Sequence, residues 1–212
     1  MEVDANIHPL SGRDGETLAM DVVLDGSPDA QSLLILSSAC HGVEGYCGSG
    51  VQIHALQNTA WRDAAKANGV AVLYIHALNP HGFSHVRRVN EDNVDLNRNF
   101  IDFGQPLPVN DDYALIHSAL LPLDWPPTPE QAAGLAALAQ DWGERRMQRA
   151  ITGGQYHFPD GVWFGGQRPT WSQQTFRQVL REHLGRIAHV LTLEQGKTLA
   201  DAEGDIVRGL EV

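Results

Sequence analysis

His41-Gly42-Val43-Glu44 sets an imidazole and a carboxylate three residues apart in a glycine turn. Two such groups can converge on one cation, and a nitrogen beside an oxygen suits Zn²⁺. The same four residues also fit a plain turn whose glutamate is solvated. A second polar group follows: Asn79-Pro80-His81-Gly82-Phe83, then Arg88-Val89-Asn90, then Asp95-Leu96-Asn97-Arg98-Asn99-Phe100. The planar fork of arginine matches a carboxylate bidentately. Asn97 and Arg98, side by side, could therefore clamp a substrate carboxylate. Arg88 could stabilise an oxyanion as it develops. Taken alone, the second group also fits a loop whose polar residues satisfy one another and the backbone.

Both groups follow short apolar runs, Ser32–Ala39 and Val70–Ile75, that read as buried strands. Between them Val51, Leu56, Ala60 and Ala64 fall at near-helical spacing, and the pattern ends near Gly69. Strand, helix and strand make a βαβ unit. The expectation is an α/β fold: a mixed, mostly parallel sheet flanked by helices. Side chains at the carboxyl ends of such strands face the crevice where α/β proteins bind ligands. Residues 104–129 hold six of the eleven prolines and read as an irregular excursion. Thr128-Pro129-Glu130 has the form of a helix start, continued by an alanine-rich stretch to Ala150. Gly153–Gly166 (GGQYHFPDGVWFGG) reads as a loop suited to a pocket wall. Trp171–Gly185 reads as a helix and Ile187–Leu193 as a strand.

The 212 residues carry a net charge of -11, with 42% hydrophobic and 19% charged residues, enough apolar content for a folded core. The acidic balance argues against nucleic acid and anionic membranes as partners. Cys40 and Cys47 make no disulfide framework, and the acidic N-terminus is unlike a signal peptide, so a cytoplasmic setting is expected. No apolar run is long enough to span a bilayer.

Taken together and in order, HGVE, NPHGF, RVN and DLNRNF resemble the zinc carboxypeptidase superfamily, the fold group of carboxypeptidase A. The likeness runs from about Ser32 to His189 and is nearest a bacterial branch of carboxypeptidase-like proteins. The resemblance implies His41 and Glu44 as ligands of one zinc ion. It implies Arg88, rather than Arg87, as the catalytic residue that polarises the scissile carbonyl. It implies Asn97 and Arg98 as the residues that bind the free carboxylate of a small peptide or acyl-amino-acid substrate. His81 departs from the acidic residue usual after Asn-Pro. Aspartoacylase and succinylglutamate desuccinylase share HxxE and DLNR, which keeps an N-acyl-amino-acid amidohydrolase as an alternative.

A catalytic zinc takes three protein ligands and an open position. In the superfamily the third is a histidine at the end of a later strand, and the general-base glutamate comes later still. Here the corresponding run, His189 to Leu193, leads into Glu194-Gln195-Gly196-Lys197, and no histidine follows His189. Glu194 is the carboxylate at that place. His54, His117, His157 and His183 have bland readings as surface or packed residues. Leu191–Val212 resembles a short segment of aldehyde dehydrogenases of the methylmalonate-semialdehyde type, without that family's catalytic cysteine or cofactor loop. Its Leu199, Ala202, Ile206 and Leu210 predict an amphipathic helix. The expectation is therefore a truncated carboxypeptidase-like domain over 1–190 with a foreign helical tail over 191–212. Its hydrolase activity would be impaired, or reduced to carboxylate binding alone.

Overall fold

The computed structural model describes residues 1–27, 29–122, 126–195 and 198–211, without the side chains of 190, 191, 193–195 and 208–211. Among the described residues, four strands form one sheet: β1 (Glu2–Ser11), β2 (Thr17–Asp25), β3 (Ser32–Ser37) and β4 (Val70–His76), in the order β1-β2-β4-β3. The fold is α/β, with a mixed sheet flanked by helices. The βαβ unit is present: β3 and β4 are parallel, with Ser32 opposite Val70 and Ser37 opposite Ile75. Parallel pairing does not predominate, however. β1 pairs antiparallel with β2, and β2 antiparallel with β4. The reason is the hairpin closed near Gly12 and Glu16, which lays two strands on the β4 side of the sheet.

β2 alternates Leu18, Met20, Val22 and Leu24 into the core. Met20, Val22 and Leu24 join Leu73, Ile75 and Val179, with Phe176 and Leu180 of α6 (Trp171–Glu182) packed against them. The other face of β4, Val72 and Tyr74, packs against Ala55 and Leu56 of α1 (Gly45–Gln57) and Ala65 of α2 (Thr59–Ala67). Helices thus cover both faces. The single helix expected over 51–64 is two, parted at Asn58, whose side chain caps α2 by accepting from the Trp61 amide.

α3 is the short helix Pro80–Ser84. Inside the proline-rich excursion lies α4 (Asp111–Leu120), capped by Asn110 with Asp111 and Asp112 in its first turn. α5 (Pro129–Thr152) begins at Thr128 with a full capping box, and non-helical Gly143 interrupts it. α4 and α5 share a separate core of Ile116, Met147 and Ala150.

The expected strand Ile187–Leu193 is a helix, α7 (Leu184–Gln195). Leu184, Ile187, Ala188 and Leu191 already stand at i, i+3, i+4 and i+7. Short apolar runs fit both periods, and here the helical one prevails. The boundary expected at residue 190 falls inside α7. The Glu194 side chain, considered as a ligand at a strand end, lies outside the described residues, and no strand ends there. The tail helix is present as α8 (Leu199–Glu211), packed on α7. No described helix is long and apolar enough to cross a membrane.

Candidate functional site

The HGVE turn and the NPHGF turn leave the carboxyl ends of the parallel neighbours β3 and β4, and the backbone ties them together. The Asn79 amide donates to the Ala39 carbonyl at 2.8 Å, and Leu78 to Ser38 at 3.0 Å. Fully buried Asn79 caps α3 by accepting from the Gly82 amide at 2.8 Å. That holds Gly82 directly against Gly42: a Cβ at 42 would overlap the Gly82 carbonyl group. Glycine at 42 is required by this close approach.

Within the turn His41 Nδ1 and Glu44 Oε2 stand 2.9 Å apart. The other ring nitrogen, Nε2, lies 3.1 Å from Asp95 Oδ1. Asp95 is fully buried. Its carboxylate also accepts from Arg88 Nε at 3.1 Å and from the Asn97 amide at 3.0 Å. Arg88 Nη1 reaches Glu44 Oε1 at 3.5 Å, closing a ring of His41, Glu44, Arg88 and Asp95. The Glu44 side chain remains 65% exposed, so this ring opens to solvent on the glutamate side.

A carboxylate thus faces each ring nitrogen, Asp95 at Nε2 and Glu44 at Nδ1, and the pair fixes the plane of the His41 ring. Ligands about 2.0–2.2 Å from a tetrahedral zinc sit about 3.3–3.6 Å from each other. The His41–Glu44 pair, at 2.9 Å, is in hydrogen-bond contact and closer than that spacing, with Asp95 behind the histidine. Two donors are what the site offers. Among the described residues, no group of three or more His, Cys, Asp or Glu side chains is arranged to hold a metal ion.

The sequence-predicted residues divide as follows. His41, Glu44 and Arg88 meet directly, whereas Arg87 is exposed. Asn97 and Arg98 lie in a single 3₁₀ turn, Leu96–Arg98, capped by Asp95. Asn97 Oδ1 accepts from Cys40 Sγ at 3.2 Å, beside His41. Arg98 Nη2 donates to the Thr152 carbonyl at 2.9 Å, while its Nε is buried without a partner among the described residues. A cleft of about 490 Å³ is lined in part by Asn110, Arg149, Gly154 and Tyr156; a Cβ added at Gly154 would meet the Arg98 stem.

Asn99 is structural. Its side chain receives both Thr170 donors and donates to the Gly165 and Arg168 carbonyls. The His81 side chain stacks on His85 at 4.0 Å between ring centroids and lies outside the ring of four. Burial holds its pKa below the usual histidine value, and neighbouring His85 adds to the effect. Burial, followed by the field of Asp95, pushes the Cys40 thiol up to about 11, so it stays a neutral thiol.

The sequence pattern alone assigns no role to Asp95 or Trp163. Asp95 opens the DLNRNF motif, and its place before a turn was the available signal. Trp163, from the glycine-rich loop, lies under the Arg88 guanidinium at 4.2 Å.

Comparisons with known proteins give two separate results. The model of the family described as "Protein of unknown function (DUF2817)" matches residues 1–197. Over 37 residues the chain is 62% identical to proteins of Rattus norvegicus and Homo sapiens named "Methylmalonate-semialdehyde/malonate-semialdehyde dehydrogenase [acylating], mitochondrial". That is 18% of this chain and 7% of each of those proteins. A probable enzyme of the same name from Drosophila melanogaster is 39% identical over 71 residues, 32% of this chain and 13% of its own length. The chain thus spans only a small fraction of these relatives. No solved structure matches it.

Proposed function

The chain belongs to the family described as "Protein of unknown function (DUF2817)", and for this member we propose a zinc-dependent hydrolytic centre of carboxypeptidase type. Its substrate class is a peptide or amide bond next to a free carboxylate. The observation that carries the reading is His41, set between Glu44 on one ring nitrogen and buried Asp95 on the other. The order HGVE, NPHGF, RVN and DLNRNF, similar to the zinc carboxypeptidases, supports it.

His41 and Glu44 would hold the metal. Bound zinc supplies a Lewis acid and a water whose pKa falls to about 7. With Nδ1 given to the metal, Asp95 would accept the His41 Nε2 proton and fix the ring plane. Arg88 donates to the substrate carbonyl oxygen as negative charge gathers on it. The substrate carboxylate is received by Asn97 and Arg98, which share one 3₁₀ turn next to the ring of four. Two named ligands fall one short of the usual catalytic set, so turnover is weak in this reading.

A second reading, carboxylate binding without turnover, is favoured by the lack of any three-donor group among the described residues. Zinc-loaded protein should be given an N-blocked dipeptide, an N-acyl amino acid and their C-terminally amidated forms. Cleavage of the free acids, lost in Glu44→Ala and absent with the amides, is the expected result. Binding of the free acids without cleavage selects the second reading. Equal treatment of acids and amides contradicts both.

A further inference from the structure

Trp163 has no role in the reading above, yet its placement is unusual on two independent counts. Its backbone sits at φ 56°, in the left-handed region that a bulky side chain rarely adopts. Its indole lies beneath the Arg88 guanidinium, with Cζ 4.2 Å from the ring centroid, and within 5.9 Å of Arg98 Cζ. Strained residues of this kind concentrate where a side chain must be aimed.

The loop carrying Trp163 is stitched to the site from both sides. The Asp95 amide donates to the Phe164 carbonyl at 2.8 Å, and Asn99 Nδ2 to Gly165 at 2.8 Å. Asn93 Nδ2 donates to the Gly161 carbonyl at 3.0 Å, and the Trp163 carbonyl accepts from the Gln155 amide at 3.1 Å. A loop so fixed brings the indole to one place relative to Asp95.

We infer that Trp163 is a positioning residue that acts through Arg88. A guanidinium lying over an aromatic ring is held by cation–π attraction. Arg88 then turns Nε to Asp95 and Nη1 to Glu44. Its Nη2 has no partner among the described residues and is left for an oxygen of the bound molecule. The consequence for catalysis rests on the proposed role of Arg88; the geometry itself does not.

The test separates the two. Full-length wild type, Trp163→Gly and Trp163→Phe are treated with phenylglyoxal, and labelling of Arg88 is followed by peptide mass spectrometry. The 83%-exposed Arg168 serves as internal reference. Arg88 labelling relative to Arg168 should rise about threefold to fivefold in Trp163→Gly and stay near wild type in Trp163→Phe. The Tm of Trp163→Gly should be unchanged or higher, because glycine relieves the left-handed backbone. Unchanged Arg88 labelling overturns the inference, as does a fall in Tm with labelling raised equally in Trp163→Phe. Trp163→Asn, which tolerates the same backbone, repeats the test if the glycine variant does not fold. Failure of both to fold assigns Trp163 to the fold alone and also overturns it. Neither zinc nor turnover is needed, so absence of hydrolysis leaves this result standing.

Discussion

Asp95→Ala removes the group on which the site converges. The carboxylate is fully buried and accepts from His41 Nε2, Arg88 Nε and the Asn97 amide at 3.0–3.1 Å. Hydrogen bonds to a charged group contribute about 1.5–3 kcal/mol each, and breaking a buried ion pair costs about 3–5 kcal/mol. Two features lower the sum here. Arg88 is 37% exposed and can turn to water, and Asn97 is exposed, so its amide can do the same. His41, only 13% exposed, loses its Nε2 partner and keeps Glu44 at Nδ1. The net loss is about 3 kcal/mol. In a chain of this length that lowers Tm by about 6–12 °C. Zinc affinity should weaken about 10–100-fold through the lost orientation of His41. Thermal unfolding by circular dichroism and a competitive zinc titration measure the two effects. A Tm within about 2 °C of wild type would refute the stability estimate. Unchanged zinc affinity in a folded variant would refute the orienting role.

Gly42→Ala drives a Cβ into the Gly82 carbonyl group and should cost about 1–3 kcal/mol, read by urea unfolding, with zinc binding lost alongside. Wild-type stability in that variant would show that the two turns are not locked together. Burial lowers the pKa of His76, His81 and His183, so the folded state favours their neutral forms. The unfolded chain, with histidines near 6.5, then takes up more protons as pH falls. Stability should be flat above about pH 6.5 and decline from there toward pH 5, and His81→Asn should make the decline shallower. Identical Tm slopes in the two proteins would exclude His81 as a contributor. The Asp25–Arg62 pair acts in a different window: hydrogen bonding to Arg62 lowers the Asp25 pKa, so its stabilisation is lost only in more acid solution.

The parts of the fold that sequence reveals are those where one physical signal acts alone. β3 and β4 are continuous apolar runs, and Thr128-Pro129 announces α5 by capping chemistry that depends only on its neighbours. The alternation of Leu18, Met20, Val22 and Leu24 in β2 was equally legible, but β1 offers only His8 to the core and carries no such pattern. Prolines at 106, 108 and 122 flank α4 without entering it, which disguised a well-capped helix as irregular chain. In α7 the same apolar residues satisfy two periods, and no local feature decides between them. Within the site, His41, Glu44 and Arg88 announce themselves by chemistry. Asp95 and Trp163 act only through groups distant in the chain, and their roles emerge when the folded loops bring 41, 88, 95 and 163 together.

Isothermal titration of the metal-free protein with Zn²⁺, beside His41→Ala, tests the central claim most directly. One ion bound per chain in the wild type, lost in the variant while its Tm shows it still folded, is the predicted result. Binding that is absent in the wild type, or undiminished in His41→Ala, would contradict it.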